Sequence, residues 1–321
     1  MKTHTKHSKS NKKQYHIRNW KSYNQALVER GSLTFWMNKE ALETWFNTER
    51  TGKRGKPIVY GAVAIQTVLT LQSLFHLPLR QTEGLLNSVF RLSGISLISP
   101  DYSTVSKRGE TLSVDLARRA SSKKAKHIVI DSTGVKVFGE GEWKVRQHGK
   151  SKRRTWIKVH LGIDEETGEI TVAKITANSS HDSEALPELL HAIPDDLKQV
   201  SGDGAYDTRD CYQAIEAKHA YAAIPPQSNA KIWRHGNSSA PPHVRDQNLR
   251  RIRKVGRKRW KKDVGYHRRS LAETGMFRFK TIFGDRVSAR KFAGQAAQLL
   301  IRCRMLNQML DLGMPDSYVV A

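Results

Sequence analysis

Residues 127–137 read HIVIDSTGVKV. Five residues of this stretch, Ile128, Val129, Ile130, Val135 and Val137, are β-branched and apolar, and the run is short, which suits a central strand rather than a helix. Asp131 ends its apolar core. A second acid, Asp203, closes the stretch Lys198-Gln199-Val200-Ser201-Gly202-Asp203, and Gly204 follows. Both acids are therefore expected where a strand stops. A turn or helix-cap role is the alternative for either position alone.

Between the two acids the pattern predicts strands over 128–137, 156–164 and 169–177, with hairpin chemistry in Asp164-Glu165-Glu166-Thr167-Gly168. A helix over 182–192 and the strand ending at Asp203 come next. A second helix over 208–219 and a strand over 221–224 follow. His181-Asp182 opens the first of these helices; Asp182 is expected as its cap, a proton-shuttling His181 being the alternative. The order of strand, strand, strand, helix, strand, helix, strand and final helix is that of an α/β ribonuclease H-like mixed sheet with flanking helices.

The final helix carries YHRRSLAETGMFRFK, residues 266–280. If it is helical throughout, steps of three, four and seven residues place Tyr266, Arg269, Glu273 and Lys280 on one face. A solvated charged stripe is the alternative. In a ribonuclease H-like sheet the two aspartates are neighbours, and a terminal helix brings its glutamate to them. Three converging carboxylates repel one another unless cations neutralise them, as hard metals with oxygen ligands do.

The segments DSTGVKV at Asp131, SGDGAYDT at Asp203 and the spaced Tyr266, Arg269, Glu273 and Lys280 resemble, in this order, the three catalytic blocks of DDE transposases. The likeness is to bacterial insertion-sequence transposases of the 4 and 5 superfamily, the 5 family in particular. It covers about residues 126–310 well and the N-terminal region more loosely. The resemblance implies that Asp131, Asp203 and Glu273 are catalytic and hold two Mg2+ ions, with Mn2+ able to substitute. Such ions lie roughly 4 Å apart and act on both oxygens of a phosphodiester displacement. Tyr266, Arg269 and Lys280 would position DNA phosphates. Implied partners are double-stranded DNA, as the element's terminal inverted repeats and as target, and a second copy of the chain in a paired-end dimer. The alternatives are a ribonuclease H-like nuclease without strand transfer and a helix-turn-helix DNA-binding regulator.

Charge supports the same partner independently. A formal net charge of +25 over 321 residues points to a polyanion. Residues 1–21 hold seven Lys or Arg and no acid, and are expected to form a flexible basic arm. The stretch from Lys144 to Lys158 also holds seven and no acid; its Lys150, Lys152, Arg153 and Arg154 would track a phosphate backbone. A basic loop is expected at about 226–262, densest in RDQNLRRIRKVGRKRWKK (245–262), with Arg257, Lys258 and Arg259 as DNA contacts. Trp260 within it is read as anchoring the loop to the core, base stacking being the alternative.

Residues 22–125 are expected to be a helical DNA-binding domain, and 126–321 the catalytic domain. Helices are predicted over 38–46, 60–77, 78–92 and 102–109. The last two resemble a helix-turn-helix unit, with Tyr102, Ser103, Thr104, Ser106, Lys107 and Arg108 available to a groove. The C-terminal helix, 289–312, is expected to pack on the sheet through its apolar face.

Other classes find no support. Cys211 and Cys303 are too few and too far apart for a disulfide framework or a zinc site. Neither a Walker-type nor a dinucleotide-binding glycine pattern occurs. With no apolar run near membrane length and no secretory core at the N-terminus, a cytoplasmic, nucleoid-associated bacterial protein is expected.

Overall fold

The computed structural model describes residues 14–48, 57–116, 126–137, 156–193, 196–234 and 241–320. Lys150, Lys152, Arg153 and Arg154 lie outside them, as do the first thirteen residues of the expected arm. The rest of that arm is ordered. Strand β1 (Gln14–Ile17) pairs antiparallel with β8 (Ser317–Val320), and helix α1 (Trp20–Glu29) begins at Trp20.

The main sheet has the order β4 (Ile170–Ala177), β3 (Trp156–Asp164), β2 (Lys126–Val137), β5 (Leu197–Ser201), β6 (Tyr221–Ala223). The first three are antiparallel, and β5 and β6 run parallel to β2 and to each other. This is the ribonuclease H-like arrangement. The short β7 (Arg286–Val287) joins β2 in parallel at its far end. The β3–β4 turn closes as its residues dictate, with Asp164 Oδ1 accepting from the Glu166 N–H at 2.8 Å and Gly168 at φ +74°.

Period-two alternation sends alternate residues of β2 to two different cores. Ile128 and Ile130 pack with Leu186, Leu189 and Ile215 under α7 (Asp182–His191) and α8 (Arg209–Ala217). Val129 and Val135 face the opposite cluster. That second core includes Ala272, Met276 and Phe279 of α11 (Ser270–Phe283) and Leu299, Met305 and Leu306 of α12 (Phe292–Leu312). It also takes in Ile65 and Val68 of α4 (Ala62–Phe75), Leu86 and Phe90 of α5 (Leu79–Leu92), and Val105 of α6 (Tyr102–Gly109). The N-terminal helices thus share one buried core with the main sheet. Before α4 come two short helices, α2 (Leu33–Trp36) and α3 (Lys39–Glu43), the latter capped by Asn38, whose Oδ1 accepts from Ala41 N–H at 2.9 Å.

The segment expected as a basic loop is helical over much of its length. Helix α9 (Val244–Val255) and helix α10 (Arg257–Asp263) meet at Gly256. Their buried face is largely polar, comprising Arg245, Asp246, Asn248 and Leu249 with Trp260. Trp260 is 1% exposed and its Nε1–H donates to Asn248 Oδ1 at 3.1 Å, so it anchors these helices rather than offering a stacking surface. Among the described residues no single helix is long and apolar enough to cross a membrane; the apolar pair α4 and α5 is bent by 107°.

Candidate active site

The last residue pair between β2 and β5 is Val129 with Ser201. Asp131 and Asp203 each lie two residues further on, so the parallel register brings the two acids level. The apolar run ends at Asp131 but strand β2 does not: it continues to Val137, the end expected for it, held by β3. What stops is its pairing with β5. Strand β5 ends at Ser201, and Asp203, two residues on, caps the 3-10 turn Gly204–Tyr206, its Oδ1 accepting from Ala205 N–H at 2.8 Å.

Glu273 lies in the first turn of α11. Residues 266–280 are not one helix. Gly265 is left-handed at φ +65°, Tyr266–Arg269 form a 3-10 turn, and the α-helix begins at Ser270. The tighter pitch stacks residues three apart, so the Arg269 guanidinium carbon lies 5.9 Å from the buried Tyr266 ring centre. From there Arg269 Nη1 donates to Asp131 Oδ2 at 3.1 Å, and Nη2 donates to Glu273 Oε1. Neighbouring Arg268 ties the turn to the β3–β4 hairpin, pairing with the Glu165 carboxylate and donating to its carbonyl at 3.3 Å. Gly275 sets the depth of α11, because a Cβ there would come 2.6 Å from Ile163 Cδ1 on β3. Lys280 is exposed two turns beyond Glu273 and is not brought to the acids.

Burial pushes the Asp131 carboxyl above its ordinary range; the Ser132 N–H bond and Arg269 oppose this, and Asp203 and Glu273 add to it. Tyr266 is raised for the same first reason, burial, with Arg269 opposing and all three acids adding. Tyr206, buried under α7, is raised further, by burial and then by Asp182, Asp131 and Asp203. The donor set is thus carboxylate oxygen, from half-buried Asp131 and Asp203 and exposed Glu273, suited to a hard divalent cation. Among the described residues no three acid, imidazole or thiolate groups already close into a metal cage. Arg269 lies between Asp131 and Glu273 and serves as their counter-ion.

Asp182 is not the helix cap expected of it. His181 occupies the cap position, with its N–H held by Glu184 at 3.2 Å, while Asp182 pairs with Lys158 at 3.1 Å. In α6, Asp101 ties down the hydroxyls of Ser103 and Thr104 at 2.6 Å each, and Arg108 turns inward to the Tyr60 carbonyl. Tyr102, Ser106 and Lys107 stay exposed, with Arg80 stacked 4.0 Å from the Tyr102 ring. The connection from α5 to α6 runs from Ser93 to Asp101, longer than a helix-turn-helix turn of about three to four residues. In α10, Arg257 bonds the Pro226 carbonyl at 2.7 Å and Arg259 pairs with Asp263 at 2.9 Å, leaving Lys258 exposed.

Two features had no sequence signal. Asp207, four residues past Asp203, has a side chain only 2% exposed that meets Arg245 of α9 through both oxygens, at 2.6 and 3.2 Å. The Tyr206 hydroxyl is buried and has no hydrogen-bond partner among the described residues. Neither could be found by periodicity, because each depends on a fold-level juxtaposition.

Two family profiles match the chain, both described as "Transposase DDE domain": one over residues 28–140 and one over residues 122–308. The second spans more than half of the sequence and contains all three acids. Among solved structures, the chain is similar to the piggyBac transposase synaptic complex with hairpin DNA, at 10% identity. That match covers 88% of this chain and 73% of the other, with a TM-score of 0.37. The fold assignment therefore rests on the strand order above.

Proposed function

The chain belongs to the DDE-domain transposase family, and from that premise we propose that Asp131, Asp203 and Glu273 are its catalytic acids. The enzyme is a transposase, whose chemistry is phosphodiester cleavage and strand transfer on DNA. The observation that carries the site assignment is the meeting of Asp131 and Glu273 on one guanidinium, with Asp203 level with Asp131 across the β2–β5 register. The three acids would hold divalent metal ions, Mg2+ with Mn2+ as substitute, whose Lewis acidity activates the phosphodiester.

The remaining roles belong to the chain's own side chains. Arg269 leaves the carboxylates and binds a non-bridging oxygen of the scissile phosphate, with the Tyr266 ring fixing its approach. Lys280, further along α11, meets a neighbouring phosphate. The exposed cations of α9 and α10 supply affinity without reading bases, and Tyr102, Ser106 and Lys107 of α6 reach the terminal inverted repeats. On DNA, each element end is hydrolysed to a 3′-hydroxyl, which then attacks target DNA in the same site. Two copies of the chain bridge the two ends.

The test is incubation of the full chain with Mg2+, DNA carrying element ends and a supercoiled target, scoring cleavage and joining. Asp131→Asn, Asp203→Asn and Glu273→Gln are each expected to lose both reactions while retaining end binding. Wild-type rates in all three would refute the assignment.

A further inference from the structure

Tyr206 is 1% exposed, and its ring is firmly placed. A Cβ on Gly202 would come 2.8 Å from Tyr206 Cδ2, so the ring lies directly on the Gly202 backbone. The Tyr206 N–H donates to the Asp203 carbonyl at 3.2 Å, and the ring belongs to the cluster with Leu186, Leu189 and Ile215. Among the described residues its hydroxyl has no hydrogen-bond partner. Buried phenols normally find one, and an orphaned donor asks for an explanation in function or in a missing ligand.

Three carboxylates act on this phenol: Asp182, Asp131 and Asp203. Asp182 is met by Lys158, whose Nζ also donates to the Ser180 carbonyl at 2.8 Å. Asp131 uses one oxygen for Ser132 N–H and the other for Arg269. Asp182 and Asp203 each accept a described hydrogen bond at Oδ1 alone, but Asp182 is held by the Lys158 ammonium, whereas Asp203, three residues before Tyr206 in the same turn, is met only by the Ala205 N–H. A buried donor without an acceptor and a carboxylate oxygen without a donor thus belong to residues of the same turn.

We propose that Tyr206 is a positioning residue for the catalytic acids: in the cation-loaded site its hydroxyl donates to the Asp203 carboxylate and fixes which oxygen faces the ion. The inference rests on the reading of Asp203 as a cation ligand. Outer-shell donors of this kind orient ligand oxygens and set their affinity. A phenylalanine would fill the same space and leave no orphaned donor, so the hydroxyl is explained by use rather than by packing.

Tyr206→Phe keeps the ring on Gly202 and removes only the hydroxyl, so it isolates this role. Three measurements on the full chain decide it: thermal stability in EDTA, Mn2+ affinity by electron paramagnetic resonance, and cleavage of element-end DNA across Mn2+ concentrations. The expected result is an unchanged or raised melting temperature, with Mn2+ bound roughly 10- to 100-fold more weakly and the cleavage midpoint moved to higher Mn2+ by a similar factor. A clearly lowered melting temperature in EDTA would overturn the inference, because it would mean the hydroxyl already has a partner. So would Mn2+ affinity and cleavage within about twofold of wild type, that being well below a typical outer-shell effect. Asp203→Asn separates the two layers of argument. If it loses Mn2+ binding and Tyr206→Phe does not, only the role of Tyr206 fails; if neither changes it, the ligand assignment itself fails.

Discussion

Replacing Arg269 by Ala should make the DNA-free protein bind Mn2+ more tightly while making it a slower enzyme. Arg269 is 22% exposed and links Asp131, 19% exposed, to Glu273, 57% exposed. Two unit charges about 4 Å apart attract by about 4 kcal/mol at an effective dielectric near 20. Solvent screening cuts this heavily, so the Asp131 arm contributes about 1 kcal/mol and the more exposed Glu273 arm about 0.5 kcal/mol. A divalent cation entering between these acids must displace that counter-ion. Its removal should therefore tighten Mn2+ binding by about 5- to 30-fold, the ratio that corresponds to about 1–2 kcal/mol. Cleavage at saturating Mn2+ should fall about 100- to 1000-fold, as when a donor to a transition-state oxyanion is lost. The assay pairs a Mn2+ titration by electron paramagnetic resonance with single-turnover cleavage. Equal or weaker Mn2+ binding by the variant would refute the competition between guanidinium and cation.

Two further outcomes follow from the charges. Asp131→Asn should raise the melting temperature in EDTA at neutral pH, because burial lifts the Asp131 carboxyl above 3.8 in the folded protein. A raised carboxyl contributes stability below its unfolded pKa and loses it as pH rises through the folded value, so the variant's advantage should grow across that window and vanish in acid; a lower melting temperature at neutral pH would contradict it. Changing Arg250, Lys254, Lys258 and Lys262 together to Gln should reduce the salt slope of log affinity for duplex DNA by up to about 3–4, weakening all sequences alike. An unchanged slope would remove these two helices from the DNA surface.

The sheet was legible because its strands carry β-branched apolar runs; Asp131 stands where the first such run ends, within β2, and Asp203 two residues past the end of β5. The two helices expected over 60–77 and 78–92, found at 62–75 and 79–92, and Trp260 as an anchor followed from local chemistry as well. The basic helices α9 and α10 were read as a loop because their buried face is built from Arg245, Asp246 and Asn248, which leaves little apolar period to detect. The turn Tyr266–Arg269 was hidden because steps of three suit both 3-10 and α pitch; the left-handed Gly265 before it decides. Strand β1 pairs with β8 at the other end of the chain, a contact with no local signal.

The burial of Asp207 has a mechanical consequence. Helices α9 and α10 are inserted between Asp203 and Glu273, and they carry the densest cations in the chain. Arg245 fixes them to Asp207 through a pair almost wholly removed from solvent, and Trp233 stacks 4.0 Å from the same guanidinium. Breaking a buried pair of this kind costs about 3–5 kcal/mol, more than a surface contact with DNA returns. On the other side, Gln199 of β5 donates to the Val264 carbonyl at 3.0 Å, just ahead of the turn that carries Arg269. The insertion is therefore clamped at both ends, to the loop bearing Asp203 and to the turn bearing Arg269. Under the proposed function, DNA held by its cations would not shift relative to Asp203 without breaking the buried Arg245–Asp207 pair, so backbone affinity would be converted into registration of the scissile phosphate over the three proposed acids.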